Sequence, residues 1–358
     1  MDEIKGYVSN TLAACANQTF FETGGEILHG MIFLKIFKGG RYKYRFGFSA
    51  LIDSTFSDGS LSRCNDVCPD WKIHGLKIAV TNECDPDLAE NTEFTDVTFD
   101  GRESVTVKSE KTCFTDSVEL CGEKDSYLCL KIDFSGKKLP CHAESIIPIY
   151  RLTDGKRELS PYVPVPVFTG IERSVKKKVA FIGDSITQGI GSTFNSYRHY
   201  AAVTAEILGS EYAFSDLGIG YARGFDAATD GVWLRRAKQN DAVCVCFGVN
   251  DIFQGYTARQ IKDSIMTIIK KLKESGAAVL IQTVPPFDYD EKHEPIWREI
   301  NDFIIKEAVP LADAFFDCRS VLSADAADSP KAKYGPHPND EGHILWGNAL
   351  APVLKEIL

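Results

Sequence analysis

The chain of 358 residues contains no run of about 18 apolar residues, the length a membrane-crossing helix needs. Its opening, MDEIKGYVSN, lacks the basic patch and apolar stretch of a secretion signal. Both absences favour a cytoplasmic location. Positive charge is in deficit, with 40 Lys and Arg against 50 Asp and Glu, a net charge of -10. Such a surface repels phosphate backbones and anionic headgroups, which argues against nucleic acid or membrane as a partner and leaves a neutral small molecule. Regular cysteine pairs are missing too. The count of 11 is odd and the chain is long, so reduced thiols are expected rather than a disulfide framework. Cys64, Cys68, Cys84 and His74 come nearest to a zinc set, but no second regular pair follows the C-x3-C spacing, and no metal is expected. Cys244 and Cys246 alternate within AVCVCFG and face one side of a strand as small hydrophobes.

What is present is ordinary globular composition: 44% hydrophobic and 25% charged residues, enough to build a core without staples. At roughly 100–200 residues per domain, the length favours two domains. From Met31 to about Tyr150 apolar residues alternate on a period of two, and GG, DG, SDG and SG turns punctuate the run. This half reads as an all-β sandwich. SPYVPVPVFTG, with Pro161, Pro164 and Pro166, reads as an extended linker, so the domains are expected at 1–170 and 171–358.

Beyond Lys176–Lys178 the period changes. Apolar runs at Val179–Ile182, Tyr212–Leu217, Ala242–Phe247, Ala278–Val284 and Leu311–Phe316 alternate with helical patterns. Thr257 caps one helix, Ile261, Ile265, Ile268 and Leu272 form its stripe, and Gly276 ends it. Further stripes run from Ile296 to Ile304 and from Trp346 to Ile357. The expected fold is therefore a three-layer α/β/α domain behind a β-sandwich.

In such a sheet the ligand site lies beyond the carboxyl ends of the strands. Three of those places carry chemistry. Gly183-Asp184-Ser185 puts a hydroxyl at a strand-to-helix turn beside free backbone N–H groups. Gly248-Val249-Asn250-Asp251 offers an amide, and Gly335-Pro336-His337-Pro338 sets an imidazole in a rigid turn. Singly, these are equally a helix cap, a turn asparagine and an incidental loop histidine. Together they are a nucleophile, an oxyanion donor and a base on one rim.

GDSI at 183–186, GVND at 248–251 and HPND at 337–340 resemble three signature blocks of the SGNH, or GDSL-type, hydrolases, over about residues 176–358. The resemblance implies a flavodoxin-like domain, ester hydrolysis through an acyl-serine, and no metal or organic cofactor. Ser185 is then the nucleophile and His337 the base. The oxyanion donors are the Ser185 N–H, the Asn250 amide and a glycine position that aligns with Tyr221, or with Gly220 if one residue is deleted. The family aspartate three residues before the histidine is replaced by Tyr334. Activity then requires either a Ser-His dyad whose imidazole is held by a backbone carbonyl, the expected arrangement, or a carboxylate from Asp325, Asp328 or Asp340. Asp184 and Asp340 are otherwise supporting residues, Asp184 holding the turn.

GGRYKYRFGFSALI, VTFDGRESVTV and SVEL resemble the N-terminal region of acetyl-xylan-esterase-like members, which implies a jelly-roll-like accessory domain and an acetylated sugar as substrate. Trp71, Tyr197 and Tyr200 are the candidate sugar-stacking surfaces. A lipase or thioesterase, or an inactive carbohydrate-binding protein, are the competing readings.

Overall fold

Alternation on a period of two becomes antiparallel strands in the first half of the computed structural model, which describes residues 4–54, 63–89, 92–153, 155–326 and 328–358. The chain divides into two compact units, Met1–Asp53 with Asn65–Ser174, and Ser54–Cys64 with Val175–Leu358. Among the described residues, Ser54, Arg63 and Cys64 thus group with the second unit, an excursion that the single boundary expected near 170 does not contain.

In the first unit, Gly40–Ser49 lies at the centre of one sheet, pairing with Phe168–Glu172, Thr112–Phe114 and Val118–Gly122. Tyr127–Ser135 runs between Leu28–Lys35 and Trp71–Thr81 in the other. Inward residues of both sheets are fully buried, among them Leu34, Phe46, Phe48 and Phe134. Phe48 from the first sheet meets Trp71 from the second edge to face at 6.3 Å, as a sandwich requires. The proline-rich segment is not a linker. Val163 and Val165 are buried, and Phe168–Glu172 is a strand inserted between Tyr7–Ser9 and Gly40–Ser49. Its prolines all precede the strand, where no ladder N–H is needed.

The second unit is a five-stranded parallel sheet. Its strands are β1 (Lys178–Gly183), β2 (Ala213–Gly218), β3 (Ala242–Cys246), β4 (Ala278–Gln282) and β5 (Ala314–Phe316), in the order 2-1-3-4-5. This is the flavodoxin-like order, with its switch point between β1 and β3. The helices are α1 (Ser185–Gln188), α2 (Tyr200–Leu208), α3 (Gly224–Ala228), α4 (Val232–Ala237), α5 (Val249–Phe253), α6 (Ala258–Glu274), α7 (Glu294–Phe303), α8 (Arg319–Leu322) and α9 (Asp340–Lys355). Thr257 and Gln260 cap α6 reciprocally, and the Ile261, Ile265, Ile268 and Leu272 stripe is at most 1% exposed. Each of those four side chains contributes about 1.5–3 kcal/mol by leaving water. β5 starts later than its apolar pattern suggests, because Pro310 closes a 3-10 turn over Val309–Leu311.

Seven of the eleven cysteines are buried. Burial pushes the thiols of Cys68, Cys129, Cys141 and Cys318 up to about 12. Cys64 faces Asp226 O and Thr229 Oγ1, each at 3.2 Å, while His74 bonds Ser135 Oγ at 2.8 Å. No helix among the described residues is long and apolar enough to cross a membrane.

Candidate active site

The carboxyl end of β1 leads directly into the serine. Asp184 is extended and caps α1 by accepting the Ile186 N–H at 3.0 Å, and Ser185 is the first helical residue. Small residues let this turn sit tightly on the sheet. A Cβ on Gly218, the last residue of β2, would lie 2.1 Å from Gln188 N. Gln188 Oε1 accepts the Gly220 N–H at 2.6 Å, and Thr187 Oγ1 meets Tyr200 OH at 2.8 Å.

His337 arrives from 152 residues further along the chain, with Nε2 2.8 Å from Ser185 Oγ. When Nε2 accepts the serine proton, the imidazole carries its own proton on Nδ1. Gly191, at φ +99°, lets the serine and histidine loops touch. A Cβ there would lie 2.4 Å from Pro338 O and 2.8 Å from His337 O. Burial pushes the His337 pKa below its ordinary value, which keeps the imidazole neutral.

The imidazole is not held as expected. Among the described residues, neither a backbone carbonyl nor a carboxylate hydrogen-bonds Nδ1. Asp340 instead accepts Thr193 N at 2.7 Å and Thr193 Oγ1 at 2.8 Å and faces Arg198, while Asp328 pairs with Arg298. Tyr334 packs its Cβ against the backbone of Gly342 in α9. What borders the imidazole is Phe287, edge to face at 5.1 Å.

Asn250, in the first turn of α5, donates one Nδ2 hydrogen to Ala222 O at 2.9 Å, and an amide has two. The same segment is fixed by Asp251, which accepts the N–H groups of Gly224 and Phe225 at 2.9 and 3.1 Å. Of the two alignments for the remaining oxyanion donor, Gly220 has its N–H committed to Gln188. Tyr221 has φ +60°, the left-handed region that favours glycine. The backbone there keeps the conformation of a glycine site with a tyrosine on it.

Trp71 and Tyr200 are 2% and 0% exposed, so neither offers a face to a sugar; Tyr197 is half-buried. Phe287, Gln188 and Gly191 escaped the sequence reading. Phe287 follows the fourth strand, where the carboxyl-end rule would have found it.

Burial pushes the Asp184 carboxyl up to about 7; the Ile186 N–H opposes the rise and the charge of buried Asp251 adds to it. A carboxyl raised on folding gives stability that is full below its ordinary value and is lost as pH rises through about 7. Asp184→Asn keeps the capping oxygen and removes this loss. Its melting temperature should exceed wild type at pH 8 by roughly 2–4 °C per kcal/mol recovered, and by less at pH 5. Thermal denaturation at the two pH values checks this; an equal gain at both would refute the burial argument.

Residues 181–345 match the model of the GDSL-like Lipase/Acylhydrolase family. No curated protein sequence matches significantly. Similar solved structures include a lipolytic protein of the G-D-S-L family from Desulfitobacterium hafniense, 20% identical over 49% of this chain and 99% of that one, with a TM-score of 0.42. Est24, a carbohydrate acetylesterase from Sinorhizobium meliloti, is 18% identical over 51% of this chain and all of its own, with a TM-score of 0.42. The acetyl xylan esterase AlAXEase is 23% identical over 48% and 97%, with a TM-score of 0.39. The match to the GDSL-like lipase/acylhydrolase family covers just under half of the chain, within the C-terminal unit, and spans Ser185, Asn250 and His337.

Proposed function

We propose that this protein is a serine esterase that removes acyl groups, in the first place acetyl, from carbohydrates. The observation that carries the reading is the 2.8 Å contact between Ser185 Oγ and His337 Nε2 on the rim where Asn250 lies. Ser185 Oγ attacks the ester carbonyl carbon while His337 Nε2 takes its proton. The tetrahedral oxyanion is met by the N–H groups of Ser185 and Tyr221 and by the second Nδ2 hydrogen of Asn250. His337 returns the proton to the departing sugar oxygen as the carbon–oxygen bond breaks, leaving acyl-Ser185. A water molecule, deprotonated by the same imidazole, then releases the acid and restores the serine.

The dyad works without a carboxylate behind it. Proton transfer depends on Phe287 and the Gly191 contact to confine the ring. The acetylated sugar rests on the resemblance of the N-terminal half and on the net charge of -10, which favours a neutral substrate. The test is acetate release from acetylated xylo-oligosaccharides by the purified protein, alongside labelling by a fluorophosphonate probe and mapping of the modified peptide. Acetate release with the label on Ser185 is the expected result. Neither release nor labelling would overturn the reading, and labelling with release only from long-chain esters would replace it with a lipase.

A further inference from the structure

We propose that Phe253 is the platform on which the alcohol half of the ester, a pyranose ring, stacks while Ser185 takes the acyl group; this rests on the esterase reading above. Phe253 is the last residue of α5, one helical turn beyond Asn250, so the two lie on the same helix face. It is 42% exposed, yet its ring is braced by three neighbours. Tyr289 stacks on it at 5.3 Å and 12°, Phe287 meets it at 5.4 Å, and His293 at 4.8 Å. A ring fixed this way gives up little freedom when a ligand settles on it.

The placement says which half of the substrate it serves. Phe287 touches both Phe253 and His337, so the aromatic shelf starts at the imidazole and runs outward. His337 hands its proton to the leaving oxygen, so the group bonded to that oxygen departs along the shelf. The acyl group lies across the carbonyl carbon, away from it.

The chemistry of the shelf says what the group is. An alkyl chain gains most from full enclosure, which a residue 42% exposed does not give. A pyranose has one face of C–H groups to set against an aromatic face and hydroxyls to leave in water. Polar groups stand beside the shelf: His293 Nδ1 is 2.7 Å from Asp290 Oδ1, and that carboxylate is 65% exposed. Asp290, with the overall negative charge, disfavours alcohols that carry phosphate.

The experiment compares two esters of the same acid, an acetylated xylotriose and ethyl acetate, which differ only in the alcohol. Wild type, Phe253→Ala and Phe253→Trp are measured on both, with ethyl butyrate as a probe of the acyl side. Phe253→Ala should lower the ratio of kcat/KM for the sugar ester over ethyl acetate by about tenfold, mostly through KM, as loss of one aromatic contact implies. Phe253→Trp should restore the ratio. An unchanged ratio, with both esters falling together or neither falling, would overturn the proposal, as would a change confined to the butyrate-to-acetate preference. Wild type inert towards all three esters, with no label on Ser185, would defeat the esterase reading and the platform with it. Wild type active on all three with an unchanged Phe253→Ala ratio defeats the platform alone.

Discussion

Ser185→Ala is expected to lower kcat for acetyl release by at least about 10², with KM nearly constant. In a serine protease, losing the serine costs on the order of 10⁶ and losing the triad acid alone about 10⁴, and the effects are far from additive. A dyad that lacks the acid therefore retains roughly 10² above what the oxyanion donors and substrate binding supply. Here no carboxylate reaches Nδ1 of His337 among the described residues, so the smaller figure sets the floor. Steady-state kinetics on acetylated xylo-oligosaccharide checks it. A variant within a few-fold of wild type would remove Ser185 from the mechanism.

Asn250→Ala should cost on the order of 10²–10³ in kcat, about 3 kcal/mol of transition-state stabilisation, again with little change in KM. The geometry sharpens the expectation. One Nδ2 hydrogen is already spent on Ala222 O, so Asn250 is held with its second hydrogen as the donor left for the oxyanion. Alanine removes the donor and also leaves the Ala222 carbonyl without that partner. A companion Asn250→Asp keeps the shape but presents a carboxylate to a negative oxygen, and should be at least as inactive. Near-normal kcat in the aspartate variant would mean that the side chain is structural.

The α/β unit was legible because its signals are local. Thr257 announces a cap, four apolar residues announce the face of α6, and β-strands buried on both sides read as short apolar runs. Ser185, Asn250 and His337 were legible because each follows a sheet element or precedes a helix in a recognisable block. What brings them together was not. The Gly191 contact joins segments about 145 residues apart, and a glycine in a loop gives no sign of the carbonyl it must admit. The partner of the imidazole was misjudged for a similar reason. A ring contact such as Phe287 on His337 carries no spacing rule, whereas a carboxylate or carbonyl is the habitual candidate. Val163 and Val165 were read as linker because proline density outweighed two apolar side chains that tertiary packing uses.

The buried thiols have a further consequence. The thiolate is the form that reacts, and at neutral pH a thiol raised to about 12 has almost none of it and no path to a reagent. Cys318, Cys244 and Cys246 lie within the α/β unit, while Cys129, Cys141 and Cys68 lie within the sandwich. Alkylation of each set therefore proceeds only as fast as its own unit opens. The molecule thus carries reporters of opening in each unit, readable by mass from a single sample without a mutation or a dye.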